Sequence, residues 1–395
     1  MTVLVYIFWI SLGILFYCYI GYGLILFLFN NIKVLFAPDR KAKSSNFPAV
    51  TLIVSVYNEE AILEQKITNT LAIDYPAGHL KILFVTDGSD DASVAIIKKY
   101  PQADLIHQAD RKGKYAAIKR AMRQVQTPVV VFSDANTMLN PECLKKMMVH
   151  YADEKVGGVA GEKKILRNNY ESAVGEAEGL YWQYESFLKK SDAEFYSIVG
   201  AAGELFSIRT RLFKELNDEI ILDDFIISMQ VCLQGYKIKY EPDAFATESP
   251  SASLQEEEKR KTRISAGAYQ SVGYLKGALI FFKHPLLSFQ YISRRLLRWI
   301  FCPLALICLL LTNIIIVSRQ FDNVYNSLLL AQIFFYAFAL GGWLFVRAGK
   351  RAGLFTIPFY FVFMNYCLMK GFVRFVRRKQ PVLWENHFGR RWNRQ

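Results

Sequence analysis

Three acidic segments hold the residues best able to do chemistry. In VVVFSDANT at 129–137 an apolar run stops on Asp134 and Asn136; VSVYNEE places Tyr57, Asn58, Glu59 and Glu60 after another such run, and FVTDGSDD places Asp87, Asp90 and Asp91 after a third. Residues two apart on an extended chain face the same way, so the carboxylate of Asp134 and the amide oxygen of Asn136 suit one hard cation carrying phosphates. Taken alone, 134–137 reads somewhat better as an Asx-type cap leading into the next helix. Acids beyond three of the chain's apolar runs turn the balance toward a phosphate and metal site. The basic turn Arg111-Lys112-Gly113-Lys114 opens a helix and can contact an anion or simply be solvated. Asp223 and Asp224 open a helix reaching 233, where Asp223 suits an N-cap and Asp224 the helix dipole. Adjacent carboxylates also raise one another's pKa, which favours base chemistry. Gly200-Ala201-Ala202-Gly203-Glu204 precedes a strand at 205–208 and lets backbone approach a ligand closely. GxGxxG and GxxxxGK are both missing, which removes the usual dinucleotide and P-loop fingerprints.

Apolar runs at 50–56, 82–85, 104–106 and 129–132 alternate with helical patterns from about 59, 91 and 114. That order predicts βαβ units and a largely parallel sheet, with ligands outside the carboxyl ends of the strands. The segment 176–190 reads as an amphipathic helix whose Tyr181, Trp182, Tyr184 and Phe187 are assigned to core packing.

The 395 residues are 52% apolar and 15% aromatic, which calls for a membrane part. Residues 1–32 lack charged side chains and show no basic leader or small-residue cleavage site, so they predict a retained transmembrane helix. Lys33, Arg40, Lys41 and Lys43 follow it and place the next domain, 48–283, in the cytoplasm. Residues 284–298, with Arg294, Arg295 and Arg298, read as an interfacial helix, and 299–373 as two or three further spans. Arg298-Trp299 is assigned as an anchor at the membrane edge. Three spans would leave the basic tail 374–395 outside, against the positive-inside rule. The net charge of +13 is concentrated in such clusters beside apolar helices, which points to membrane lipids as partners and not to nucleic acid. Six cysteines without a CxxC pair argue against zinc and disulfide frameworks.

The segments VSVYNEE, FVTDGSDD, RKGK, VFSDANT, LDDF, GYKIKYEPDAFATE and RKTRISAG follow one another between 50 and 267. In this order they resemble the inverting family 2 glycosyltransferases of GT-A fold. Within these they are most similar to the membrane-integrated branch that makes cellulose, hyaluronan, chitin oligosaccharide and poly-N-acetylglucosamine. The resemblance implies an α/β GT-A domain joined to transmembrane helices, a nucleotide-sugar donor such as a UDP-sugar, and a polysaccharide or lipid-linked acceptor. It implies that Tyr57, Glu59 and Asp87 hold the base and ribose, and that Lys114 and Arg260 belong to the donor site. Asp134 would meet the diphosphate and Mg²⁺ or Mn²⁺, with Asn136 in the place of a second acid. Asp224 would deprotonate the acceptor, and Arg263 would neutralise the leaving diphosphate. A single displacement on an α-linked donor would give a β-linked product. The family's QxxRW stands here as Arg260-Lys261-Thr262-Arg263-Ile264, and the lost tryptophan weakens processive synthesis. Accessory synthase or export subunits, and a non-catalytic scaffold within such a complex, are further expectations.

Overall fold

The N-terminal apolar run forms one continuous helix, α1 (Thr2–Phe16), a π-helical turn at Tyr17–Gly21 and α2 (Tyr22–Phe36). The computed structural model describes residues 1–36, 47–165, 173–251, 253–381 and 383. The linker basic residues Arg40, Lys41 and Lys43, and Arg390, Arg391 and Arg394 of the tail, lie outside them.

The alternating elements then follow: β1 (Val50–Val56), α3 (Glu60–Leu71), β2 (Leu80–Thr86), α4 (Ser93–Lys98), β3 (Asp104–Ile106), α5 (Lys114–Met122) and β4 (Val129–Asp134). After them come β5 (Met138–Leu139), α6 (Cys143–Met148), β6 (Val156–Ile165), α7 (Ala173–Phe195), β7 (Phe206–Arg209), α8 (Asp223–Leu233), β8 (Lys237–Glu248) and α9 (Leu254–Tyr274). The sheet has the order β3-β2-β1-β4-β7-β6-β8-β5. Its first four strands are parallel, as the alternation predicts, and β1 is buried throughout because helices cover both faces. Leu52, Val54 and Phe84 enter one apolar layer, while Ile53, Leu83 and Val85 enter the other.

The second half departs from the expected parallel sheet. Strand β7 runs antiparallel to both β4 and β6, β6 pairs parallel with β8, and β5 is antiparallel to β8. The alternating buried and open positions of β8 carry this one-sided pattern. Because Met138–Leu139 is a strand and the next helix begins at Cys143, residues 134–137 do not cap a helix. Thr137 Oγ1 instead donates to the Asp134 carbonyl at 3.0 Å, closing a turn.

Among the described residues, four helical runs are long and apolar enough to cross a membrane: Thr2–Lys33, Pro285–Arg319, Asn323–Arg347 and Gly353–Val376. The second joins α10 (Pro285–Tyr291), a π-helical stretch at Ile292–Phe301 and α11 (Cys302–Arg319). The third is α12 (Asn323–Arg347), and the fourth contains α13 (Thr356–Val376). Residues 284–298 are therefore continuous with the helix that follows. They also face protein: Arg294 binds Asp192 and reaches Glu185 at 3.0 Å, and Arg298 reaches Glu185 at 2.6 Å. Buried carboxylates on α7 draw these guanidinium groups inward, where the sequence alone suggested a lipid surface. Tyr22 of α2 hydrogen-bonds the same Asp192, and Asn30 donates to the Ser191 carbonyl at 2.9 Å.

Replacing Arg294 with Met strands Asp192 beside Glu185. Loss of one partner of a buried pair costs about 3–5 kcal/mol, so thermal unfolding of R294M in detergent should show a large drop in midpoint. R123A, removing a largely exposed pair with Glu215, should shift it little.

Candidate active site

The carboxyl ends of the central strands are in register. Ser55 pairs opposite Asp134 and Val56 opposite Thr86, so the segments beginning at Tyr57, Asp87 and Ala135 leave the sheet side by side. Many of the acids there brace one loop against the next. Asn58, held at φ 51°, donates to Asp90 at 2.5 Å and accepts the Asp90 amide at 3.0 Å. Asp91 accepts the Glu60 amide at 3.0 Å, and Glu60 accepts the Ala92 amide at 2.9 Å.

A cavity of about 760 Å³ opens beside these loops. Tyr57, Glu59, Lys114, Asp134, Asn136, Asp224, Arg260 and Arg263, all expected at the site, line it. Asp87 is not among the lining residues. Its buried carboxylate accepts the amides of Lys112 and Gly113 at 3.0 and 2.6 Å and the Arg120 guanidinium at 3.3 Å. Asp87 thus fixes the basic turn, with the Arg111 guanidinium 3.8 Å from the centre of the Tyr57 ring.

The electrostatic centre is Lys114, at the start of α5. Its ammonium lies 2.6 Å from Asp134 Oδ1 and 3.7 Å from Asp223 Oδ2. Burial opposes its charge, but Asp134, Asp223 and Asp224 together hold its pKa above the ordinary lysine range. Gly203 brings backbone against the cluster: a Cβ there would lie 3.0 Å from Lys114 Nζ, 3.2 Å from Asp134 Oδ2 and 3.3 Å from Asp224 Oδ2. Nearby, Gly200 has φ +86°, and a Cβ on it would lie 1.9 Å from the Phe225 ring.

Asp223 and Asp224 are the first residues of α8, and the cap position is Leu222, so Asp223 is not the N-cap that its type suggested. Burial, then the neighbouring Asp223, pushes the Asp224 carboxyl up to about 7, the range of a general base. Burial also raises Asp134, against the pull of Lys114. Arg263 on α9 makes no hydrogen bond or ion pair among the described residues, so its guanidinium is available to an anion in the cavity. Desolvation lowers its pKa despite Asp223 and Asp224. The helix carrying it begins with a capping box, Ser253 Oγ accepting the Glu256 amide at 3.2 Å. Arg260 lies on the same wall with its charge committed to Glu178, to Glu257 at 3.0 Å and to Glu248 at 3.9 Å.

The carboxylate of Asp134 and the amide oxygen of Asn136 suit Mg²⁺ or Mn²⁺, yet among the described residues no three Asp, Glu, His or Cys side chains group as a metal cage. Asn136 donates its amide nitrogen to Glu248 Oε1 at 3.0 Å. The residues present therefore fit a cation through Asp134, with the donor phosphates completing its shell.

Two features were not read from the sequence. Lys66 of α3, fully buried, donates to Ser133 Oγ at 2.8 Å and to the Thr137 carbonyl at 2.7 Å, directly beneath the Asp134 turn. Burial brings its pKa down to about 7. A lysine among the apolar residues of an amphipathic helix was the available signal. Trp299 and Arg298, expected at the membrane edge, are buried and line the cavity; Arg298 bonds Glu185 and Tyr181, and the Trp299 ring lies 5.6 Å from Phe225. Tyr181, Trp182 and Tyr184 also line it, which revises their assignment to plain core.

A family model described as "Glycosyltransferase like family 2" matches residues 48–267, more than half of the chain. The chain belongs to this family. Poly-beta-1,6-N-acetyl-D-glucosamine synthase of Staphylococcus aureus (strain COL) is 25% identical over 234 residues, covering 56% of this chain and 55% of that protein. The synthase of the same description from Staphylococcus epidermidis (strain ATCC 35984) is 26% identical over 217 residues, covering 52% and 50%. The chain thus spans about half the length of the curated relatives it matches. Mannosyltransferase PcManGT from Pyrobaculum calidifontis, solved with GDP-Man and Mn2+, superposes with a TM-score of 0.70 at 19% identity, over 94% of this chain and 99% of that one. That likeness covers the membrane-type helices as well as the sheet, and it bears out the GT-A fold expected for a family 2 glycosyltransferase domain.

Three outcomes follow from this geometry. D224N should lose roughly 10²–10⁴-fold in kcat with the nucleotide still bound. Since a base works deprotonated, wild-type kcat/KM should fall about tenfold per pH unit below about 7, measured across buffered steps. K66M, which removes two hydrogen bonds from a charged donor, should raise the donor KM or lower kcat by roughly 10–100-fold in steady-state assays.

Proposed function

We propose that this chain is a membrane-bound inverting glycosyltransferase. It moves a sugar from a nucleotide sugar, a UDP-sugar in the first instance, to a growing polysaccharide or a lipid-linked acceptor. The carrying observation is the raised carboxyl of Asp224 in one cavity with the unengaged guanidinium of Arg263. Asp224 takes the proton of the acceptor hydroxyl as that oxygen attacks the anomeric carbon. Arg263 and Lys114 meet the negative charge that develops on the departing diphosphate. Inversion at that carbon turns an α-linked donor into a β-linked product. Asp134 would hold a divalent cation, which supplies further neutralisation of the diphosphate when bound.

The names of the staphylococcal relatives support a polysaccharide as product. The cavity wall supports an acceptor reached from the membrane side, because Tyr19 of the first apolar helix and Tyr360 of the last both line it. Residues 48–283 are assigned to the cytoplasm of a multi-pass inner or plasma-membrane protein, where nucleotide sugars are made, and 284–373 to its membrane part. A lipid-linked acceptor or accessory export subunits fit the same arrangement.

The test is a screen of nucleotide sugars with Mg²⁺ or Mn²⁺ on the purified full chain, reading nucleoside diphosphate release and then product length. Release from at least one donor is expected, abolished in D134A. No release from any donor, or D134A and D224N both as active as wild type, would sink this reading.

A further inference from the structure

Beyond the acid cluster, the cavity wall carries two buried polar atoms that have no hydrogen-bond partner among the described residues. Lys189 of α7 is 4% exposed and lines the cavity, and its ammonium has no hydrogen-bond acceptor. Glu204 lines the same cavity; its Oε1 binds Lys163 at 2.7 Å, while its buried Oε2 has no donor. The two groups feel each other electrostatically, since each figures among the causes of the other's displaced pKa. They are not bonded to each other.

Other acceptors around Lys189 are already engaged. Glu162 accepts from Ser186 and Tyr240, and Glu185 is held by Arg294 and Arg298. Buried donors and acceptors left unmade are costly, and Glu204 adjoins Gly203, where a Cβ would lie 3.2 Å from Asp134 Oδ2 and 3.3 Å from Asp224 Oδ2.

The complementary ligand must accept from an ammonium and donate to a carboxylate within a short span. A hydroxyl does both, and a sugar ring offers several in neighbouring positions. An anion would satisfy only Lys189. It would also leave Glu204 Oε2 without a donor. The position favours an acceptor over a donor sugar: the nucleotide end is marked by Tyr57 and the basic turn, whereas Lys189 shares its wall with Tyr181, Trp182 and Tyr184, toward the membrane helices. The Lys189 ammonium lies 5.2 Å from the Trp182 ring centre, which makes that indole a built-in reporter.

We propose that Lys189 and Glu204 form a hydroxyl-binding subsite for a neutral sugar residue of the acceptor, next to the base Asp224. This rests on the glycosyltransferase reading above, and the experiment separates the two. Full-length protein is titrated with cellotetraose and chitotetraose as neutral β-linked probes and with tetragalacturonate as an anionic one. Binding is followed by tryptophan fluorescence without donor, and acceptor KM with it.

A neutral probe should bind wild type. In K189M its affinity should fall and its acceptor KM rise by about tenfold or more, the value of one charged hydrogen bond, with kcat changing less. K189R should recover part of the loss. E204Q, which keeps the shape of the side chain, should show the same direction. The exposed neighbour K190M should match wild type, which reports on folding of the helix.

If wild type releases no nucleoside diphosphate yet a neutral probe binds it and not K189M, the transferase reading fails and the subsite stands. If wild type is active while K189M and E204Q keep its acceptor KM and binding, the subsite is overturned, and ordered water fills the gap. Binding of tetragalacturonate in preference to both neutral probes overturns the hydroxyl assignment.

Discussion

The site depends on one constraint: carboxylates gathered in a dry place must be answered by cations. Asp134 and Asp224 crowd a wall where burial and the neighbouring Asp223 disfavour their ionisation, and the ammonium of Lys114 stands among the three. Without it, desolvation would favour neutral acids that neither attract a metal-bound diphosphate nor accept a proton. With it, the charge is divided unevenly. Asp134, in direct contact with Lys114, is shifted upward, while Asp224 is driven to about 7. Two aspartates on neighbouring elements thus acquire different chemistry from their surroundings alone. The same rule recurs at the rim, where Lys163 answers Glu204 and Glu248, and Arg260 answers Glu178 and Glu257.

Much of this was legible because strand ends are short-range objects. An apolar run that stops on an acid announces both the strand and the place its side chain will occupy, so Asp134 could be nominated by position. Lys114 and Asp224 were marked by opening helices, and Arg263 by the family resemblance alone. What could not be read depends on distant partners. Asp87 has the residue type and place of a ligand-binding acid, but the amides of Lys112 and Gly113 reach it first. Arg260 is spent on Glu178, eighty-two residues earlier in the chain. The Arg298-Trp299 pair looked like a membrane anchor by its neighbours in sequence, and only the carboxylate of Glu185 on α7 explains why it turns inward. Lys66 was missed for the same reason: its acceptors, Ser133 and Thr137, lie on another strand's turn. The parallel half of the sheet followed from regular alternation. The antiparallel half did not, because its strands are joined by long, unequal connections.

The cavity itself crosses the boundary between the two parts of the molecule. Its polar end is built on strand termini, and its aromatic end is built from α7 together with Tyr19, Trp299 and Tyr360 of the apolar helices. Residues that a helical wheel assigns to packing therefore do two tasks. Tyr181 accepts from Arg298 and lies 4.6 Å from the Lys261 ammonium, which is one residue from Arg260 and two from Arg263.

The helix α9, which carries Arg263, is fastened to α13 on its other side. Tyr360 donates to Glu257 at 2.9 Å, Lys370 pairs with Glu258, and the backbone at Gly371 comes so close to Ser265 that a Cβ there would lie 2.4 Å from it. A helix in a bilayer takes its tilt chiefly from the neighbours it packs against. Here one of those neighbours is α9, so the seating of α13 and the position of the guanidinium that lines the cavity are settled together, through a close-packed glycine and two polar ties.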